Sequence, residues 1–197
     1  MRRLPRIAAL LIPLAASSLA PAEAGELRVH YSAVQKLLLA RFFVAEGRYY
    51  LQGSQETPCS FASLERPEVF ARDGRLFIRM QFVSKVGTEV RSNCLGTGDS
   101  FSLDLSGVPV YAGGVIRLSD VAFTAEKPGV GSLIGPLVTG PLAEAMQFPL
   151  QERIEETAQA LWAETGVGLK VPMIEVPEIV LGPHQMRVPF DFQVELR

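Results

Sequence analysis

Few residues in this chain are equipped to do chemistry. Gly98-Asp99-Ser100 has the order of the nucleophile block used by one class of lipases and esterases, in which a serine attacks after a histidine takes its proton. Only His30 and His184 could serve. In that class the histidine stands three residues after an aspartate, whereas Leu181 holds that place before His184, and His30 falls in an expected strand. A triad is assembled in space, so a hydrolase remains the third reading; the first is a turn at Gly98-Asp99-Ser100 that leads into a strand. No G-x-S-x-G elbow, Walker sequence or H-E-x-x-H occurs. Gly129-Val130-Gly131 lacks the third glycine of a dinucleotide fingerprint and reads as a flexible entry into a helix. Cys59 and Cys94, with only two histidines to join them, match no zinc spacing. The expectation is a non-enzyme with no metal and no cofactor.

The start of the chain bears on compartment. "MRRLPR" is a basic lead, "IAALLIPLAASSLA" an uncharged apolar run of fourteen residues, and "AEA" before Gly25 a small-residue cleavage site. The run is too short to span a bilayer, and no Cys follows the cut site to take a lipid. This predicts a signal peptide over 1–24 and a soluble periplasmic product in which 25–197 form one domain. Loss of Arg2, Arg3, Arg6 and Glu23 would take the formal net charge from −2 to −4, and without a basic tract no nucleic-acid partner is expected. Two cysteines in an exported chain predict a Cys59–Cys94 disulfide, with two free buried thiols as the alternative.

Positioning must come from the apolar pattern. "MRVPFDFQVEL", Met186 to Leu196, carries an apolar side chain at every second position, which as a strand would run about 35 Å. That is long for a strand. "LERPEVFARDGRLFIRMQFVSKV" reads as a hairpin turning at Asp73-Gly74, with Leu76, Ile78, Met80 and Phe82 on one face and Arg75, Arg79 and Lys85 on the other. That basic face is read first as solvated and second as a transient contact for anionic head groups. Phe101, Leu103 and Leu105 alternate in the same way, and "YAGGVIRLSDVAFT" turns at Gly113-Gly114. Its pattern slips by one residue, which calls for a bulge at Ser119-Asp120 and a curved sheet. Pro189 predicts that the last strand is an edge or bulged. "YSAVQKLLLARF" predicts a short helix with Ser32 and Gln35 as a capping box. "LAEAMQFPLQERIEETAQALW" predicts an amphipathic helix through Leu142, Met146, Leu150, Ile154, Ala158 and Leu161, kinked or split at Pro149.

This order of elements resembles the bacterial YceB-like proteins of the tubular lipid-binding (TULIP) superfamily, which also includes the bactericidal/permeability-increasing proteins and the SMP lipid-transfer domains. "HYSAVQKLLLARF" is similar to the family's opening strand and helix, and "EAMQFPLQERIEETAQALW" to its long helix with an internal proline. The likeness implies an α+β half-barrel: a strongly curved antiparallel sheet wrapped around a long, proline-interrupted C-terminal helix, with a short N-terminal helix. An elongated apolar groove for an acyl chain would lie between sheet and helix.

The leading expectation is therefore a lipid or other apolar ligand held in that groove, lined by Met80, Phe82, Leu103, Leu105, Met146, Leu150, Phe190 and Phe192. Methionine adapts to varied shapes and phenylalanine offers large contact area. The alternative is a scaffold protein with a filled core that docks a partner through an edge strand.

Overall fold

The computed structural model describes residues 23–91, 93–166, 169–170, 174–192 and 195–196. Residues 1–22 of the expected export segment 1–24, Gln193-Val194 and the side chain of Phe192 lie outside the described residues.

Five long strands form an antiparallel meander: β2 (Arg48–Gln52), β3 (Ser60–Arg72), β4 (Arg75–Val90), β5 (Asn93–Ala112) and β6 (Val115–Ala125). The sheet is curled into a half-barrel within an α+β fold, as expected. The two tight turns fall where the sequence placed them, with left-handed backbone at Asp73 (φ 52°) and Gly74 (φ 71°), and at Gly113 and Gly114. On β4 every second side chain from Leu76 to Phe82 is buried, and on β5 the same holds from Phe101 to Leu105. The slip in β6 is a bulge: Asp120 and Val121 stand opposite Gly107 alone, and Asp120 takes φ 47°. Arg66 and Pro67 form a second bulge on β3 opposite Met80. Both increase the bend.

Three helices accompany the strands among the described residues: α1 (Tyr31–Arg41), α2 (Val130–Ala145) and α3 (Leu150–Thr165). The first corrects the capping box. His30, not Ser32, precedes the helix, and no side chain caps it. The reason is that β1 (Glu23–His30) is held extended to its last residue, and the Tyr31 N–H donates to His184 O at 3.1 Å. One orphan donor is thus satisfied across the fold, not by a local box.

The single long C-terminal helix is also corrected. Chain breaks off α2 before Pro149, and α3 starts just after it, with Phe148 bridging to Ile116 of β6. Pro149 thus splits the helix, while the stretch from Gly129, "GVGSLIG", expected as a flexible entry, is itself helical from Val130. Pro136 and Pro141 sit on its exposed side, and Ile134, Val138 and Leu142 are buried. A Cβ on Gly135 would lie 3.3 Å from the Phe123 ring, so the missing side chain lets α2 lie close on β6. Tertiary burial outweighs poor helix propensity here.

The second sheet is built around β10 (Gln185–Phe192), which pairs along its whole length with β1. On its other side β9 (Val180–Leu181) meets residues 186 and 187, and β8 (Ile174–Glu175) meets 191 and 192. The predicted edge at Pro189 is therefore a local gap. Gly182 N–H donates to Gln185 O, so every second residue from 185 presents its backbone to the β9 and β8 side, and Pro189 falls between those two strands where no donor is needed. The eleven-residue alternation becomes this eight-residue strand and β11 (Glu195–Leu196), which pairs with β7 (Leu169–Lys170).

Candidate functional site

Of the eight residues expected to line one groove, the seven whose side chains are described are shared between two cores. Met80, Phe82, Leu103 and Leu105 lie on the concave face of the half-barrel, where α1 contributes Val34 and Leu38 and α2 contributes Ile134, Val138 and Leu142. Met80, Leu103 and Leu105 are at most 1% exposed, and the rings of Phe82 and Phe101 stack at 4.7 Å. Met146 packs half-buried on the same core. Leu150 belongs to a second core with Ile116, Ala158, Ile174 and Val188, and Phe190 packs half-buried against it. The backbone of Phe192 pairs with Glu23 and Ile174.

The cores meet at a seam. β4 accompanies β5 only as far as the Leu76–Gly107 pair, so beyond it the edge of β5 has no β4 partner. Residues 176–181 lie across that gap opposite residues 108–111, with Gly74 at one end, and line a half-open cleft of about 520 Å³. Its walls are chiefly Val108, Pro109, Val110, Tyr111, Val176 and Ile179, with Glu178 as the one charged group. Ile179 packs against both cores. Burial raises the pKa of the Tyr111 hydroxyl, and the nearby Glu155 carboxylate adds to it, so the phenol stays neutral and donating. A recess of this size, with aliphatic side chains and polar groups together in its walls, is large enough for a small ligand. None of the seven expected lining residues with described side chains borders it. "VPEIVLGP" carries neither strand nor helix periodicity, so its role could be found only once the chain was folded.

The other candidate chemistry is dispersed. Gly98-Asp99-Ser100 is not a turn but lies inside β5, paired with Ser84 and its neighbours on β4. Ser100 Oγ accepts from the Gln81 side-chain amide at 2.7 Å, and Asp99 is bound by Lys127, whose ammonium lowers its pKa. His30 and His184 belong to the other sheet region, at the β1 terminus and before β10. On the outer face of the half-barrel two of the three basic residues are paired: Arg79 donates to both carboxylate oxygens of Asp104, and Arg75 Nη1 to Asp120 at 2.5 Å. Cys59 and Cys94 form a disulfide with Cα atoms 5.2 Å apart, as expected. No helix among the described residues is long and apolar enough to cross a membrane. No family model matches this chain, and neither a curated protein nor a solved structure does.

Proposed function

We propose that the chain is an exported, non-enzymatic binding protein that holds an acyl chain or similar apolar ligand in the seam cavity, in the manner of the YceB-like members of the tubular lipid-binding superfamily. The observation that carries this reading is the cleft of about 520 Å³ with aliphatic side chains along its walls, between the edge of β5 that β4 leaves unpaired and residues 176–181. Its aliphatic walls would leave water on contact with an acyl chain, which is favourable in proportion to the apolar area covered. The curled half-barrel and the disulfide fit the same reading, since disulfides persist in oxidising compartments.

A second reading is favoured by the concave face itself, which α1 and α2 fill, while Leu133, Leu137 and Trp162 stand exposed. On that reading the protein is a scaffold that docks a partner. Solvent extraction of protein taken from its native compartment, with uptake of a fluorescent fatty acid, separates the two. A ligand-binding protein yields lipid or takes up the probe, and Val176→Phe, which fills the cavity, abolishes uptake while costing about 1–3 kcal/mol at most. A clean extract with no uptake by the intact protein leaves the scaffold.

A further inference from the structure

Both histidines of the chain, 154 positions apart in sequence, meet at one depression of about 520 Å³ on the outer face of the β1–β10 pair. Its walls are Arg28, His30, His184, Gln185 and Arg187, closed at one end by Gly182-Pro183. Arg28 and Arg187 are direct cross-strand partners. Like charges so placed repel, at side-chain separations of about 5 Å, and destabilise a sheet unless something lies between them. Glu26 supplies one carboxylate to the two guanidiniums: it accepts from Arg28 Nε at 2.5 Å and forms a looser ion pair with Arg187 Nη1 at 3.9 Å, beyond hydrogen-bond reach, so one negative charge faces two positive ones. The guanidinium of Arg187 and the imidazoles of His30 and His184 make no side-chain hydrogen bond to the described residues.

We propose that this depression binds a tetrahedral phosphate-type oxyanion, as free phosphate or as the head group of an anionic lipid. Two guanidinium forks projecting from neighbouring strands can grip separate oxygens of one phosphate from two sides, and the imidazoles add N–H donors from the end of the cleft. The rim is held in shape before any ligand arrives. Tyr31 N–H donates to His184 O, its hydroxyl donates to Gly182 O at 2.8 Å, and Gly182 N–H closes the turn on Gln185 O at 2.9 Å. Burial raises the Tyr31 pKa, which keeps that hydroxyl a donor. A preformed rim lowers the ordering cost of binding. The whole chain carries a formal net charge of −2, so general attraction does not draw anions to it; the affinity must come from this cluster. The site is independent of the seam cavity and of the function proposed for it.

The test is titration of the folded protein with inorganic phosphate, followed by calorimetry and by the NMR shifts of the two imidazoles. Arg28→Gln and Arg187→Gln should each weaken binding about tenfold or more, and Arg79→Gln, on the other sheet, should leave it unchanged. Co-sedimentation with phosphatidylcholine vesicles, with and without phosphatidic acid, then names the source. Retention on the anionic vesicles, lost in the same two variants, assigns a lipid head group; phosphate binding without vesicle retention assigns a soluble phosphate. The proposal falls if neither phosphate nor anionic vesicles bind the wild type, or if binding is the same in both Gln variants. Urea midpoints verify folding. Should either Gln variant unfold, Arg187→Lys keeps the charge and loses the fork, and wild-type phosphate affinity in that variant overturns the proposal equally.

Discussion

Ser63 is fully buried on β3, and its hydroxyl has no hydrogen-bond partner among the described residues. A buried hydroxyl left unpaired costs about 1–3 kcal/mol, and the loss is recovered when the group is replaced by an apolar one of similar shape. Ser63→Ala should therefore leave stability unchanged or raise it by up to about 1 kcal/mol, read as a higher urea midpoint at constant m value. A fall in the midpoint would mean that the hydroxyl has an unseen partner. Single residues were legible in the sequence where one rule governs them. Asp73-Gly74 has the backbone freedom a two-residue turn needs, and the alternation of Leu76 to Phe82 has one explanation. Ser32 misled because a local capping rule competes with a partner far away in sequence, His184, that only the folded sheet supplies. The same holds for Arg28 and Arg187, whose meeting is a matter of strand register.

At the scale of elements, the β4–β5 hairpin depends on two glycines and one covalent bond. Gly87 and Gly96 face each other across the strands, and a Cβ on Gly96 would come within 2.1 Å of Val86 O. With no side chains between them, the strands can coil past each other. Cys94, beyond that point, is thereby brought to Cys59 at the head of β3. The bond closes a loop of 35 residues, which in the chain-entropy model stabilises the fold by about 4 kcal/mol. Cys94→Ser should lose about 2–4 kcal/mol of global stability, which speeds exchange of every amide that opens only by global unfolding, and amides between residues 86 and 95 should lose protection beyond that shared amount. Equal loss of protection throughout the chain would show that the bond supports the whole molecule and not the hairpin. The long strands were readable because period-two alternation survives curvature, and the one-residue slip in β6 gave away its bulge. α2 was not. Its Gly and Pro content obeys the rules for a loop, and only burial of Ile134, Val138 and Leu142 against the half-barrel makes it a helix.

The whole molecule consists of two cores joined at a seam, a plan that the long apolar stripes hinted at but could not specify. Each stripe told that a face is covered, and none told by what. The concave face is filled by α1 and α2, the second core gathers around α3 and β10, and the cavity remains where the 176–181 segment spans the gap. Ile179 is the one described side chain that packs against both cores, which makes it the place to test whether they unfold together. Its truncation removes contacts on both sides at once and enlarges a cavity that already exists, so the lost burial and the lost coupling have separate signatures. Ile179→Ala should lower stability by about 2 kcal/mol, near the low end for such a change because the residue is only half-buried. It should also broaden the urea transition into two steps, with tryptophan fluorescence, which reports Trp162 on α3, departing from far-UV circular dichroism, to which α1 and α2 on the half-barrel contribute more helical residues than α3 does. If an acyl ligand occupies the seam of the wild type, it touches both cores and must stabilise both. At a free concentration of about a hundred times its dissociation constant that contribution is about 2.7 kcal/mol, and both probes should shift to higher urea together. A ligand that moves one probe alone binds outside the seam, and coincident transitions in Ile179→Ala would place the coupling of the cores in the backbone ladders instead.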